Sequence, residues 1–539
     1  MMIRRYMIAL LLALAVICGA SSAHAERYLN MHSNAEPETL DSNLATGNVE
    51  MLYIFALFEG LTVYDPKDLS PHPGVAEKWE HSADNKTYTY HLRKDAKWSD
   101  GTPVTAADFV YSYTRLLDPK TGGKFSSMLY PIKNAEAFNT GKITDPKLLG
   151  VKAKDPQTLV ITLEYPVPYM DYLTSHMTYL PTPRQAIEKY GSSWTRPENI
   201  VGNGPFILKD WTPHKYATVT KSPTYWNKDT VKLDGIRFWP VEDQETALKM
   251  YEDGQLDVAW YLPPSKIPSL RTRPDYRKSP WFANEYYWIN VTNPKLKDKR
   301  VRRALAMAID RKTLADQFLY GVDEPLSAFV VRGIPGYTSP SNAPQFDPEG
   351  ARKLLKEAGV DPTTLPVEIL YNTHEKRKTV AQVVQQMWKQ NLGVNATLHN
   401  EEWKSWIRDL QQKTFPSLCR QGWVGDYLDP MTFLDMLTTH STGNFSNWGN
   451  AQYDKLISQA RLEPNAQKRL QLLSQAEAIL LDETPIITLL QNNKDYLIKP
   501  EIKGYYGNLL DSHPWQYIYI EGAGPQLTPW NMVKNRVRN

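Results

Sequence analysis

Cysteine is nearly absent: of 539 residues only Cys18 and Cys419 carry thiols, which excludes a disulfide-stapled scaffold and a cysteine-rich metal site. No charge of one sign dominates. The 62 Lys and Arg stand against 59 Asp and Glu, for a net charge of +3 without a long run of like charge, so nucleic acid is excluded as the main partner. Glycine is scarce at 28 residues, and the glycine-dependent nucleotide loops are missing. Gly202-Asn203-Gly204 runs into Pro205-Phe206-Ile207, lacks the third glycine of a dinucleotide loop and reads as a turn. There is no G-x-x-x-x-G-K-[ST] loop, no H-E-x-x-H pair and no G-x-S-x-G elbow; Ser192-Ser193-Trp194 after Gly191 lacks the closing glycine. The 11 histidines are scattered without metal-ligand spacing. Neither a metal nor another cofactor is called for. Glu242, Asp243, Glu252 and Asp253 read as a solvated helix face, although sequence leaves a facing glycosidase pair open.

Long apolar runs are missing too. The one that stands out, Met7 to Cys18, is too short for the roughly 20 residues of a membrane span. It follows basic Arg4 and Arg5 and precedes the small-residue stretch S-S-A-H-A at 21–25, the layout of a secretory signal peptide cleaved after Ala25. A lipoprotein anchor at Cys18 is the weaker alternative, because Ile17 stands where a small residue belongs. The exported chain then keeps Cys419 alone, expected as a buried apolar thiol.

What is abundant is proline and aromatic residues, with 39 Pro, 16 Trp, 31 Tyr and 14 Phe. Trp281, Phe282, Tyr286, Tyr287 and Trp288 fall in one stretch, followed downstream by Trp403, Trp406, Trp423 and Trp448. Most such rings belong to cores, and as a group they also suit a cleft over a mainly apolar guest. Strand alternation marks 88–92, 158–163 and 367–370, and helical periodicity marks 300–309, 350–358, 380–392 and 466–481. Thr105 with Asp108 forms a capping-box start for a helix. No repeat is visible, and the interleaved strands and helices favour α/β or α+β lobes with a ligand in the crevice between them.

Ordered segments along nearly the whole exported chain resemble the periplasmic solute-binding proteins of peptide ABC transporters (solute-binding protein family 5), in their oligopeptide-binding branch. They are E-P-E-T-L-D at 36–41, L-F-E-G-L-T-V at 57–63, A-E-K-W at 76–79, Y-T-Y-H-L-R-K-D-A-K-W-S-D-G-T-P-V-T from 88, N-I-V-G-N-G-P-F at 199–206, Y-W-N at 225–227, D-K-R-V-R-R-A-L-A-M-A-I-D-R at 298–311 and A-R-K-L-L-K-E-A-G at 351–359. The resemblance implies an α/β, two-lobed periplasmic-binding-protein-like fold with an extra domain and a hinge between the lobes. Its expected division is signal peptide 1–25, domain I from 26–59, 181–278 and 488–539, domain II from 60–180, and domain III from 279–487. It further implies a monomeric, non-enzymatic periplasmic protein that takes an oligopeptide in the interlobe cleft and passes it to a membrane permease.

R-Q-G-W-V-G-D-Y at 420–427 resembles the branch's R-x-G-W-C-x-D-Y. By resemblance Asp426 takes the peptide ammonium, Arg420 a C-terminal carboxylate, and Trp403 and Trp423 line side-chain pockets. Arg377 stands where a histidine reaches ligand C-termini, Phe125 replaces a cleft tyrosine, and Tyr286 belongs to the aromatic stretch assigned to the cleft. An acidic contact near Thr46 looks lost. A disulfide frequent in the branch, between the positions of Val424 and Ala283, is missing. These departures keep murein peptide open as a rival ligand, with dipeptide, nickel, haem and oligosaccharide as further family alternatives. A secreted hydrolase and a holdase-like chaperone are the alternatives of other classes.

Overall fold

The computed structural model describes residues 28–522, apart from 46, 124, 402 and 442. The expected signal peptide, Thr46 and residues 523–539 therefore lie outside the described residues. Alternation builds the first sheet. In Thr87–Leu92, Tyr88, Tyr90 and Leu92 point into the core while the intervening residues are half-buried. The strand pairs antiparallel with Ala76–His81 and Thr158–Thr162, and the last of these with Val151–Asp155, giving four strands. Helix Ala106–Leu117 packs against this sheet through a buried stripe that includes Phe109, Tyr113, Leu116 and Leu117. Its start is the expected one, with the Thr105 N–H donating to Asp108 Oδ2 at 2.7 Å.

An eleven-stranded sheet joins the two lobes. Its order is Thr397–Glu401, Glu368–Asn372, Leu418–Val424, Tyr276–Ile289, Ile486–Ile498, Val258–Ala259, Tyr28–His32, Gly235–Trp239, Tyr216–Lys221 and Phe206–Thr212, with Glu324–Pro325 pairing to Ile486–Ile498 off this path. The two longest strands, Tyr276–Ile289 and Ile486–Ile498, lie side by side at its centre. Phe282 to Ile289 are buried without alternation, as expected where both faces of a sheet are covered. The register between the two strands slips between Pro280 and Asn284, leaving residues 281–283 out of that ladder.

The apolar cores follow the lobes. One large cluster draws on residues 29–261 and 496–520, and two others mostly on 282–490. Gly202 and Gly204 do form a connection rather than a phosphate loop: a Cβ on Gly202 would lie 2.2 Å from the Leu57 carbonyl oxygen, so the chain passes directly over the end of helix Asn48–Leu57. Among the described residues, no helix is long and apolar enough to cross a membrane, and no group of three metal-ligating side chains converges.

Candidate functional site between the lobes

The R-Q-G-W-V strand, Leu418–Val424, runs antiparallel to Tyr276–Ile289 in a register that places Val424 opposite Ala283, Trp423 opposite Asn284 and Arg420 opposite Tyr287. Where it ends, the Gly425 N–H donates to the Phe282 carbonyl at 2.8 Å. A Cβ at Gly425 would sit 2.1 Å from the Phe282 ring, so only glycine lets the chain turn this tightly. The turn delivers Asp426 into a pocket of about 260 Å³ between the lobes.

One wall carries Asn48, Met51, Tyr64, Phe125 and Met177; the other carries Trp281, Phe282 and Val424. Phe125 meets His176 edge-on at 6.5 Å between ring centres. Burial pushes the His176 imidazole down to about 4, so it is neutral at physiological pH. Asp426 is the sole carboxylate among the lining residues. Burial pushes its carboxyl up to about 6, with the Thr432 hydroxyl pulling the other way and no cation contributing. The lining is mostly apolar, with Asn48, His176 and Ser512 as polar exceptions, and it holds one acid that no cation offsets. Next to it, Tyr427 stacks on Tyr169 of the facing lobe at 4.9 Å and 2° between planes. Arg469 lies over Tyr169 at 4.8 Å and is held by Asp429 at 2.6 Å.

A second set of charges gathers around Arg420. Its Nε donates to Glu285 Oε1 at 3.1 Å, Lys376 lies 3.4 Å from Glu285 Oε2, and Lys376 also pairs with Asp323. Burial pushes Glu285 up, but Arg420 and Lys376 outweigh it and hold the carboxyl near 2. Arg377, on the first turn of helix Glu375–Leu392, is brought down to about 10 by burial and by repulsion from Arg420, with Glu285 offsetting part of it. Among the described residues the ion pairs of this cluster leave Arg377 out. Three cations thus meet two carboxylates. Glu285, Asp323 and Lys376 escaped the sequence reading, since each is an isolated charge that only the fold brings to the others.

The remaining expected residues fall in different places. Trp423 is half-buried, and its indole N–H has no acceptor among the described residues. Tyr286 is fully buried and packs edge-on against Trp288 and Phe329 at 5.3 and 5.2 Å, in the core rather than on the pocket wall. Trp403 opens helix Trp403–Gln412, and its side chain lies outside the described residues. Another cavity, about 660 Å³, is lined by residues between 309 and 346, none of them among the expected ones.

The family model for bacterial extracellular solute-binding proteins, family 5, matches residues 70–445. The chain belongs to this family. Its curated relatives include the periplasmic murein peptide-binding protein MppA of Escherichia coli (strain K12), 38% identical over 88% of this chain and 89% of that one. Another is the periplasmic oligopeptide-binding protein OppA of Salmonella typhimurium, 35% identical over 91% of each. Among solved structures, the unliganded open form of MppA superimposes with a TM-score of 0.80 at 36% identity, covering 92% of this chain and 97% of that one. The two-lobed α/β fold of family 5 is accordingly the fold of this protein. Nothing in these family 5 relatives supports a secreted hydrolase.

Proposed function

We propose that the protein captures peptides between its lobes in the periplasm and hands them to the permease of an ABC transporter, acting as a monomer without turnover. The observation that carries this reading is Asp426, an acid without a cation in a mostly apolar interlobe pocket. A peptide's α-ammonium satisfies it, since a charge-assisted hydrogen bond compensates the cost of the buried carboxylate. In this reading Arg377 takes a ligand carboxylate; Arg420 is engaged by Glu285, so Arg377 is the freer of the two. The stack of Tyr169 on Tyr427 already links the lobes beside the site, ligand favours the closed arrangement that keeps it, and the closed form is what the permease reads. The three-domain division at 26–59, 181–278 and 488–539, at 60–180, and at 279–487 is part of this reading: the strands between 76 and 162 form a sheet of their own, although one apolar cluster runs through both domains of the first lobe, and two clusters fall mostly within 282–490. The names of the relatives support periplasmic location and, with the layout of residues 1–25, a cleaved signal peptide.

A peptide with additional carboxylates, murein-derived peptides included, is the second reading, favoured by the excess of cations around Arg377. Mass spectrometry of ligand released from protein purified from the periplasm tests both. Short α-amino peptides support the first reading, peptides with extra carboxylates the second, and a sugar, metal or haem refutes both.

A further inference from the structure

Lys494 is buried in the strand Ile486–Ile498, and no ligand contact assigned above involves it. Its side chain is 2% exposed and its ammonium pairs with Asp511. Asp511 also accepts the Trp260 indole N–H at 2.8 Å and lies 2.9 Å from His513 Nε2. Three rings surround the ammonium, with centres at 4.1 Å for Trp260, 4.7 Å for Trp281 and 5.2 Å for Tyr261. Trp260 is fixed, because it is fully buried and tied to Asp511. Trp281 differs: it is half-buried and sits where residues 281–283 leave the central ladder. Its orientation therefore depends on what its ring meets. On one side that is the Lys494 ammonium, and the same residue lines the Asp426 pocket.

We propose that Lys494 is a positioning residue for the ligand pocket: it holds the Trp281 indole as the wall on which the first side chain of a bound peptide packs, and so sets a preference for aromatic and large apolar first residues. A desolvated ammonium over an indole face is a strong member of the cation–π class, and a neutral side chain of the same length removes that hold. The rest of the pocket agrees. Met51, Phe125, Met177 and Phe282 line it with Trp281, and about 260 Å³ suits one large side chain beside its ammonium. The inference rests on the reading of Asp426 as the ammonium site.

Calorimetry with Phe-Ala-Ala and Gly-Ala-Ala on the exported full-length protein tests it. The wild type binds the first peptide about tenfold more tightly, from the apolar area that the phenyl ring buries. Lys494→Met reduces that ratio to about twofold or less, Lys494→Arg keeps it, and in a Trp281→Leu background Lys494→Met changes nothing further. Retention of the ratio in Lys494→Met overturns the inference. So does an equal loss for both peptides in both backgrounds, which marks Lys494 as merely structural. Should Lys494→Met not fold, Trp281→Leu with the ion pair intact must itself lose the ratio, or the inference fails. A wild type that binds neither peptide overturns the peptide reading as well, whereas one that binds both equally overturns only this inference.

Discussion

Glu285→Gln is the perturbation whose magnitude the structure states most directly. The carboxylate is 2% exposed, 3.1 Å from Arg420 and 3.4 Å from Lys376. Burial alone raises its pKa, yet the two cations bring it from the ordinary 4.5 to about 2. That gap, at about 1.4 kcal/mol per pH unit, corresponds to about 3 kcal/mol of stability. Because the folded pKa lies below the unfolded one, the contribution is complete above pH 4.5 and is lost as pH falls toward 2. The amide keeps the shape and removes the charge, leaving Arg420, Lys376 and Arg377 opposed by Asp323 alone. Breaking a buried pair this way costs about 3–5 kcal/mol, in agreement with the first figure. Urea denaturation of both proteins at pH 7 and pH 3 is the assay. The variant is expected to be less stable by about 3 kcal/mol at pH 7 and by about half as much at pH 3. Equal stability at pH 7, or a gap that does not narrow with acid, refutes the reasoning.

Ala283 and Val424 are cross-strand partners, so an Ala283→Cys, Val424→Cys double variant should form a disulfide and gain about 2–4 kcal/mol over its reduced form, read by urea midpoints with and without reductant. Wild type has no such dependence, and its Cys419, buried with its thiol pushed up to about 12 by burial, should not react with thiol reagents until the protein unfolds. Tyr169→Ala removes the ring stacked on Tyr427 and should weaken ligand binding by about threefold to tenfold, with the unliganded protein shifted toward the open form in small-angle scattering. Burial pushes the Asp426 carboxyl up to about 6. If it must be charged to hold an ammonium, peptide affinity is steady above pH 6 and falls by up to about tenfold per pH unit below it, which calorimetry from pH 5 to 8 measures.

Local periodicity carried most of the fold. The alternation at 88–92, the capping pair Thr105 and Asp108, and the helical spacing near 300, 350, 380 and 466 all became elements within a few residues of where they were expected. These signals act over one or two turns, so sequence displays them. The exposed acids Glu242, Asp243, Glu252 and Asp253 are also surface groups, with Asp243 capping helix Gln244–Glu252. The site was legible only in its contiguous part, R-Q-G-W-V-G-D-Y. Glu285 and Asp323 reach Lys376 from distant segments, and Lys494 meets Trp281 across two strands whose register slip periodicity does not encode. Tyr286 shows the opposite limit. An aromatic-rich stretch does not reveal which ring faces the cleft, and here the sheet turns Tyr286 into the core.

The central claim is that Asp426 receives a peptide's α-ammonium between the lobes. Calorimetry of a free and an N-acetylated tripeptide against wild type and Asp426→Asn tests it in four titrations. Wild type should bind the free peptide at least about a hundredfold more tightly than the acetylated one, because acetylation leaves the buried carboxylate without its cation. The variant should discriminate far less. Equal discrimination by both proteins would place the ammonium elsewhere, and no peptide binding at all would contradict the account.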